Sequence, residues 1–88
     1  MNYKTKGTEL RNEFKDLVYT YMQSKEECLP LSMGMKQADI FRECGMDWGE
    51  KDNCTSSNQQ YWIVAILRTL EDEGKIQRDN DTKKWRLK

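Results

Sequence analysis

The sequence predicts a mostly α-helical α+β fold, in which three helices precede a C-terminal two-stranded β-ribbon. Three observations predict this fold. Residues 8–27 repeat apolar side chains at helical spacing, residues 56–73 form another periodic run, and residues 75–88 form two short alternating segments around a polar turn. At 88 residues the chain is expected to form one small domain over residues 8–88, after a flexible tail over residues 1–7.

The first helix is predicted to start at Thr8, a good capping residue, and to end near residues 25–27. Its apolar residues fall within about 140° of arc and are expected to face the core. They are Leu10, Phe14, Leu17, Val18, Tyr21 and Met22. The other side carries Tyr19, which offers a surface for a homodimer, although no heptad seam is evident.

The middle of the chain predicts an extended piece, a short helix and a loop. Leu31, Met33 and Met35 alternate after the only proline, as in a short strand. Residues 36–44 form a helix of about two turns, which Gly45 ends. Residues 46–55 lack periodicity and predict a loop. Its Trp48 either packs against the rest of the domain or contacts a partner.

The third helix is predicted to begin at a serine cap and to run to residue 73, with Gly74 as its terminating residue. One side is apolar and should be buried, through Ile63, Ile66, Leu67 and Leu70. The opposite side carries hydroxyl, amide, phenol and guanidinium groups, which are able to bind phosphates and base edges. At the N-terminal end of this helix, the free backbone N–H groups of residues 56–61 can also bind a phosphate.

The ribbon is predicted over residues 75–78 and 83–87, joined by a polar turn. Ile76, Trp85 and Leu87 share the core face, and the cations at positions 84, 86 and 88 share the other. Residues 75–88 contain six basic and two acidic residues, a net charge of +4 in a chain whose total charge is zero. This clustering favours contact with phosphates, whereas a milder interpretation is that the cations keep an edge strand from aggregating.

One stretch carries a resemblance to a known family. It is Leu67-Arg68-Thr69-Leu70-Glu71-Asp72-Glu73-Gly74-Lys75-Ile76-Gln77-Arg78, followed by Trp85-Arg86-Leu87. With the order of elements, it resembles the winged helix-turn-helix superfamily of bacterial, archaeal and phage DNA-binding proteins. The resemblance implies a recognition helix at about residues 57–73 in the major groove of double-stranded DNA and a basic wing at residues 75–88 on the phosphate backbone.

Two features depart from that family pattern. The link between the second and third helices is about twelve residues long, whereas a plain helix-turn-helix uses three or four. Residues 71–73 are all acidic and would repel phosphate at the C-terminal end of the helix. The helix is therefore expected to enter a groove by its first two turns.

The candidate DNA-binding residues come from the exposed helix face and the ribbon. They are Ser56, Ser57, Asn58, Gln60, Tyr61, Arg68, Arg78, Lys83, Lys84, Arg86 and Lys88. Two of them have structural alternatives: Ser57 is explained by capping alone, and Tyr61 either packs beneath the long loop or meets a ligand.

The sequence argues against catalysis, metal or cofactor binding. Histidine is absent, and Cys28, Cys44 and Cys54 fit neither a zinc site nor a disulfide framework. No secretory signal or membrane-spanning stretch is evident, which predicts a cytoplasmic protein. The expected function is transcriptional or phage or plasmid regulation, and the alternative is a protein-interaction module on the same fold, since the net charge is zero.

Overall fold

The computed structural model describes residues 2–46 and 61–88, without the side chains of residues 61 and 62. The helices are α1 (Tyr3–Gln23), a short 3₁₀ helix (Glu26–Cys28), α2 (Gln37–Glu43) and α3 (Tyr61–Asp72). Strands β1 (Ile76–Arg78) and β2 (Trp85–Leu87) form an antiparallel two-stranded sheet. The predicted α+β class, mostly α, is therefore confirmed.

Helix α1 begins five residues before the predicted start at Thr8. Its cap is Asn2, whose side-chain oxygen accepts a hydrogen bond from the backbone N–H of Thr5 at 3.1 Å. Thr8 lies inside the helix and donates its hydroxyl to the carbonyl of Lys4 at 3.0 Å. Residues 3–7, expected in a flexible tail, are thus helical.

The core is formed where α1, α2, α3 and the ribbon meet. Its buried members are Val18, Met22, Cys28, Ile40, Phe41, Met46, Ile63, Ile66, Leu67, Leu70, Ile76, Trp85 and Leu87. The predicted buried side of α3 is confirmed. The predicted core stripe of α1 is only partly right, because Leu10 and Leu17 remain 44% and 45% exposed.

Glycines end two of the helices in the predicted manner. Gly45 (φ 72°) follows α2, and Gly74 (φ 76°) follows α3. After each glycine the next N–H reaches back to a helix carbonyl, from Met46 to Phe41 at 2.8 Å and from Lys75 to Leu70 at 3.1 Å. This left-handed closure directs the chain out of α3 and into β1.

The segment before α2 pairs with the ribbon at a single residue. Met35 exchanges two backbone hydrogen bonds with Trp85, both at 2.8 Å, so it lies beside β2 on the edge away from β1. The predicted alternation fails at Leu31 and Met33, which are 100% and 71% exposed. Leu31 belongs to a turn and has a φ of 72°, a backbone conformation that does not occur in an extended strand.

The strand register confirms the predicted core face of the ribbon. Ile76 lies opposite Leu87, Gln77 opposite Arg86, and Arg78 opposite Trp85. The turn is closed by Asp79, whose Oδ1 accepts hydrogen bonds from the backbone N–H groups of Asp81 and Thr82 at 2.8 and 2.9 Å.

We expect Gly34→Ala to destabilise the protein more than Gly74→Ala. Both glycines have a positive φ, so both substitutions should cost about 1 kcal/mol of backbone strain. At Gly34 an added Cβ would also lie 2.7 Å from the carbonyl oxygen of Trp85, whereas at Gly74 nothing lies within 4 Å. Chemical denaturation should give a loss of roughly 2 kcal/mol or more for Gly34→Ala. Equal losses would show that the Met35–Trp85 pairing tolerates displacement.

Candidate nucleic-acid interface

The N-terminal part of the predicted interface lies outside the described residues. Ser56, Ser57, Asn58 and Gln60 belong to the range 47–60, as does Trp48, and Tyr61 is described only as the first residue of α3. The predictions for these residues stay predictions. The described part of the interface is the rest of α3 and the ribbon.

Arg68 lies on the exposed side of α3, as predicted, and reaches the ribbon. Its guanidinium carbon lies 5.2 Å from the ring centroid of Trp85, within the range of a cation–π contact. Its Nη1 donates to Glu71 Oε1 at 3.0 Å, and about half of the Arg68 side chain (49%) is exposed. The Trp85 ring therefore fixes the position of a cation on the outer face of the helix.

Arg78 approaches the same ring from the ribbon. It lies directly opposite Trp85 in the sheet, and its guanidinium carbon is 6.0 Å from the ring centroid. Directly opposite residues share a face, so Arg78 is on the Trp85 side of the ribbon, away from Arg86. The structure thus brings Arg68 and Arg78 together around one aromatic ring.

The other face of the ribbon carries a separate set of cations. Arg86 is opposite Gln77 and donates to Asp79 Oδ2 at 3.3 Å. It lines an open depression of about 360 Å³ together with residues 31–33, Asp79 and Thr82. By alternation Lys84 and Lys88 belong to this face, with Lys84 half-buried and Lys88 exposed. The predicted cations therefore divide between two faces.

Lys83 lies in the turn between the strands. It is exposed, has a φ of 64°, and donates its backbone N–H to the carbonyl of Asp79 at 2.8 Å. A lysine in the left-handed region is uncommon, and the surrounding turn stabilises it. Its ammonium group is displayed at the tip of the ribbon.

Basic residues compensate the acidic end of α3. The ammonium group of Lys15 on α1 pairs with one carboxylate oxygen of Glu73, and Lys75 Nζ lies 3.4 Å from the other. The hydrogen bond from Lys15 is the main reason that the pKa of Glu73 lies below its ordinary value. With Glu71 paired to Arg68, this end repels phosphate less than the sequence predicts.

Sequence reasoning missed the role of Lys15 and the surroundings of Tyr19. Lys15 lies 58 positions before Glu73, so no local pattern signals their contact. The sequence predicts Tyr19 as an exposed dimer surface, but it is half-buried against the core, and Lys75 Nζ lies 5.3 Å from its ring centroid. The predicted exposure of Tyr19 is wrong because the residue lies beside Lys75, which follows α3. The possible homodimer stays a prediction.

Neither described cysteine has the lowered pKa that activates a thiol as a nucleophile. Burial raises the pKa of Cys28 and that of Cys44 to about 11, so both thiols stay protonated at neutral pH. Within residues 2–46 and 61–88, no group of three or more His, Cys, Asp or Glu side chains is arranged to hold a metal ion. No described helix is long and apolar enough to cross a membrane.

Comparison with protein-family models, curated proteins and solved structures finds no match to this chain. The candidate interface is therefore defined by its own geometry. That geometry consists of two guanidinium groups around a buried tryptophan, a lysine at the ribbon tip and a second cationic face beyond it.

We expect the charge of Asp79 to support the ribbon at neutral pH. The N–H groups of Thr82 and Asp81, followed by Arg86, hold its pKa below the ordinary value. A lowered carboxyl pKa contributes stability above about pH 4, and this contribution is lost as the pH falls through the folded-state value. Thermal unfolding measured between pH 7 and pH 2 should therefore show that acid lowers the melting temperature of Asp79→Asn less than that of the wild type.

The matched control is Asp81→Asn in the same turn, because the Asp79 carboxylate is the one that accepts both backbone hydrogen bonds. This variant should follow the wild-type pH profile. Identical profiles for all three proteins would contradict the role given to Asp79.

Proposed function

We propose that this chain is a non-catalytic protein that binds double-stranded DNA and acts in transcriptional, phage or plasmid regulation. In the proposed mode, the helix at about residues 57–73 enters the major groove and the ribbon at residues 75–88 follows the phosphate backbone. The finer assignment to a winged helix-turn-helix belongs to the same proposal. The Met35–Trp85 pairing, which adds a third short segment beside the ribbon, supports it.

The observation that carries the proposal is the shared position of Arg68 and Arg78. A cation on the outer side of α3 and a cation on the ribbon both lie within 6.0 Å of the Trp85 ring centroid. In the proposed mode a duplex contacts a helix and a neighbouring basic element on one side of the protein, and these two residues supply such a pair. Guanidinium groups also bind phosphates with two parallel hydrogen bonds.

The charge distribution supports the same function. Residues 75–88 have a net charge of +4, although the total is zero, so the attraction for a polyanion is local. The ion pairs of Arg68 with Glu71 and of Arg86 with Asp79 are partly exposed and worth little, so phosphate can compete for these cations. Lys83 and Lys88 are exposed and add further cations at the ribbon.

We expect binding to a mixed-sequence duplex that weakens as the salt concentration rises. Removing one phosphate-binding cation should make the slope of log K against log salt shallower by about one. Fluorescence anisotropy at several salt concentrations should show this change for Arg78→Gln and for Lys83→Gln. The control Lys25→Gln removes one charge from a residue that packs on Tyr21, outside α3 and the ribbon, and should bind like the wild type.

Single-stranded DNA and duplex RNA serve as competitors in the same assay. Equal binding to all three nucleic acids would limit the proposal to general phosphate recognition. A complex that does not respond to salt, or equal effects of Lys25→Gln and Arg78→Gln, would contradict it.

A second candidate function is association with a protein. The turn between the 3₁₀ helix and Met35 favours it, because Leu31 and Met33 are 100% and 71% exposed and lie beside the depression lined by Arg86. In this case Lys84→Glu would leave binding of the protein partner unchanged. Leu31→Ser combined with Met33→Ser would abolish co-purification of that partner. Loss of heparin binding in Lys84→Glu would instead favour the nucleic-acid function.

A further inference from the structure

The N-terminal half of α1 extends away from the core. Residues 2–13 are all exposed, and Phe14 is the first residue of the helix that packs against the rest of the domain, which we call the body. The side of α1 that faces the body is identified further along the helix by Val18 and Met22, which are fully buried. A helix that begins so far ahead of its packed part displays a face that the rest of the domain does not cover.

That face is apolar at regular spacing. Tyr3, Leu10 and Leu17 follow one another at intervals of seven and are 80%, 44% and 45% exposed. Phe14, between Leu10 and Leu17, and Tyr21, four residues after Leu17, are half-buried and lie on the same side of the helix. The positions 3, 10, 14, 17 and 21 therefore alternate in the three-four spacing of a coiled-coil seam, with Gly7 at the remaining seam position.

The charges beside this seam indicate what covers it. Lys6 and Glu13 lie on one flank of this seam, four residues before Leu10 and three residues after it. If a second copy of α1 runs antiparallel with Leu10 at the two-fold axis, each Lys6 meets Glu13 of the second copy. A parallel pair would instead bring Lys6 near Arg11 of the second copy, which is a contact between like charges.

The position of the body agrees with the antiparallel arrangement. The core packs on the C-terminal half of α1, through Val18 and Met22. Antiparallel helices would therefore place the two bodies toward opposite ends of the pair. In the same register Tyr3 lies against Leu17 of the second copy, so each exposed seam residue has a partner, as a self-complementary two-fold interface requires.

We propose that the chain forms a homodimer through antiparallel pairing of the exposed seam residues Tyr3, Leu10 and Leu17 of α1 with those of a second copy. The paired segment, residues 3–17, is about 22 Å long. Two heptads are fewer than a self-sufficient coiled coil uses, so the dissociation constant is expected on the order of micromolar. This proposal does not depend on DNA binding.

Sedimentation velocity over a wide concentration range tests the seam. The wild type should change from monomer to dimer, and Leu10→Ser should raise the dissociation constant at least about tenfold, because it removes a leucine from both sides of the axis. Leu29→Ser is the matched control, since Leu29 is a comparably exposed leucine (39%) outside the seam. Circular dichroism should show equal helix content in all three proteins.

A charge exchange tests the antiparallel register. Lys6→Glu alone or Glu13→Lys alone places like charges opposite each other and should weaken the dimer several-fold, beyond the effect of breaking the exposed Lys6–Glu9 pair at 3.9 Å. An equimolar mixture of the two variants should recover association as a heterodimer, because its chains carry opposite charges at positions 6 and 13.

Three results would overturn the proposal. The first is a chain that stays monomeric at submillimolar concentration. The second is a dimer that Leu10→Ser leaves unchanged, which would require another interface. The third is a mixture of the charge variants that associates no better than either variant alone, which would exclude the antiparallel register.

Discussion

Burial of Trp85 joins the separate parts of this small domain. The residue is fully buried, its backbone pairs with Met35, and its ring contacts Arg68 and Arg78. One residue, through its side chain and its backbone, thus links α3, both strands and the segment before α2. Because a small domain has a single marginal core, the placement of the cations on α3 and the ribbon depends on this one packing site. The candidate interface and the fold consequently share their central residue.

The same arrangement resolves an electrostatic conflict in the sequence. Three acidic residues close α3 next to a cluster of cations. Lys15 and Lys75 pair with Glu73, and Arg68 pairs with Glu71, so most of that negative charge is compensated within the domain. These pairs lie near the surface and contribute little stability. Their main effect is to reduce the repulsion that the acidic C-terminal end of α3 would exert on a polyanion bound at the ribbon.

Much of the fold follows from local patterns in the sequence. The buried side of α3, its end at Gly74 and the core face of the ribbon are predictable, because strong periodicity and a left-handed glycine are local signals. Predicting which face of the ribbon carries Arg78 requires the strand register, and that register depends on how the turn at Asp79 closes. The alternation before Met35 resembles a strand, but Leu31 occupies a turn with positive φ. The DNA-binding assignments at the start of α3 stay predictions.

Helix α1 shows why an apolar stripe does not by itself identify the core. The stripe spans about 140° of arc, wide enough to hold a seam for the body and a seam for another molecule. With the start predicted at Thr8, Tyr3 falls outside the helix and the spacing of seven is hidden. In the antiparallel dimer, Val18 of each copy would lie about 12 Å from the axis along the helix, so the two bodies would be about 24 Å apart. One edge of the stripe would then serve the dimer and the other the core, as the exposure of Leu17 beside the fully buried Val18 indicates.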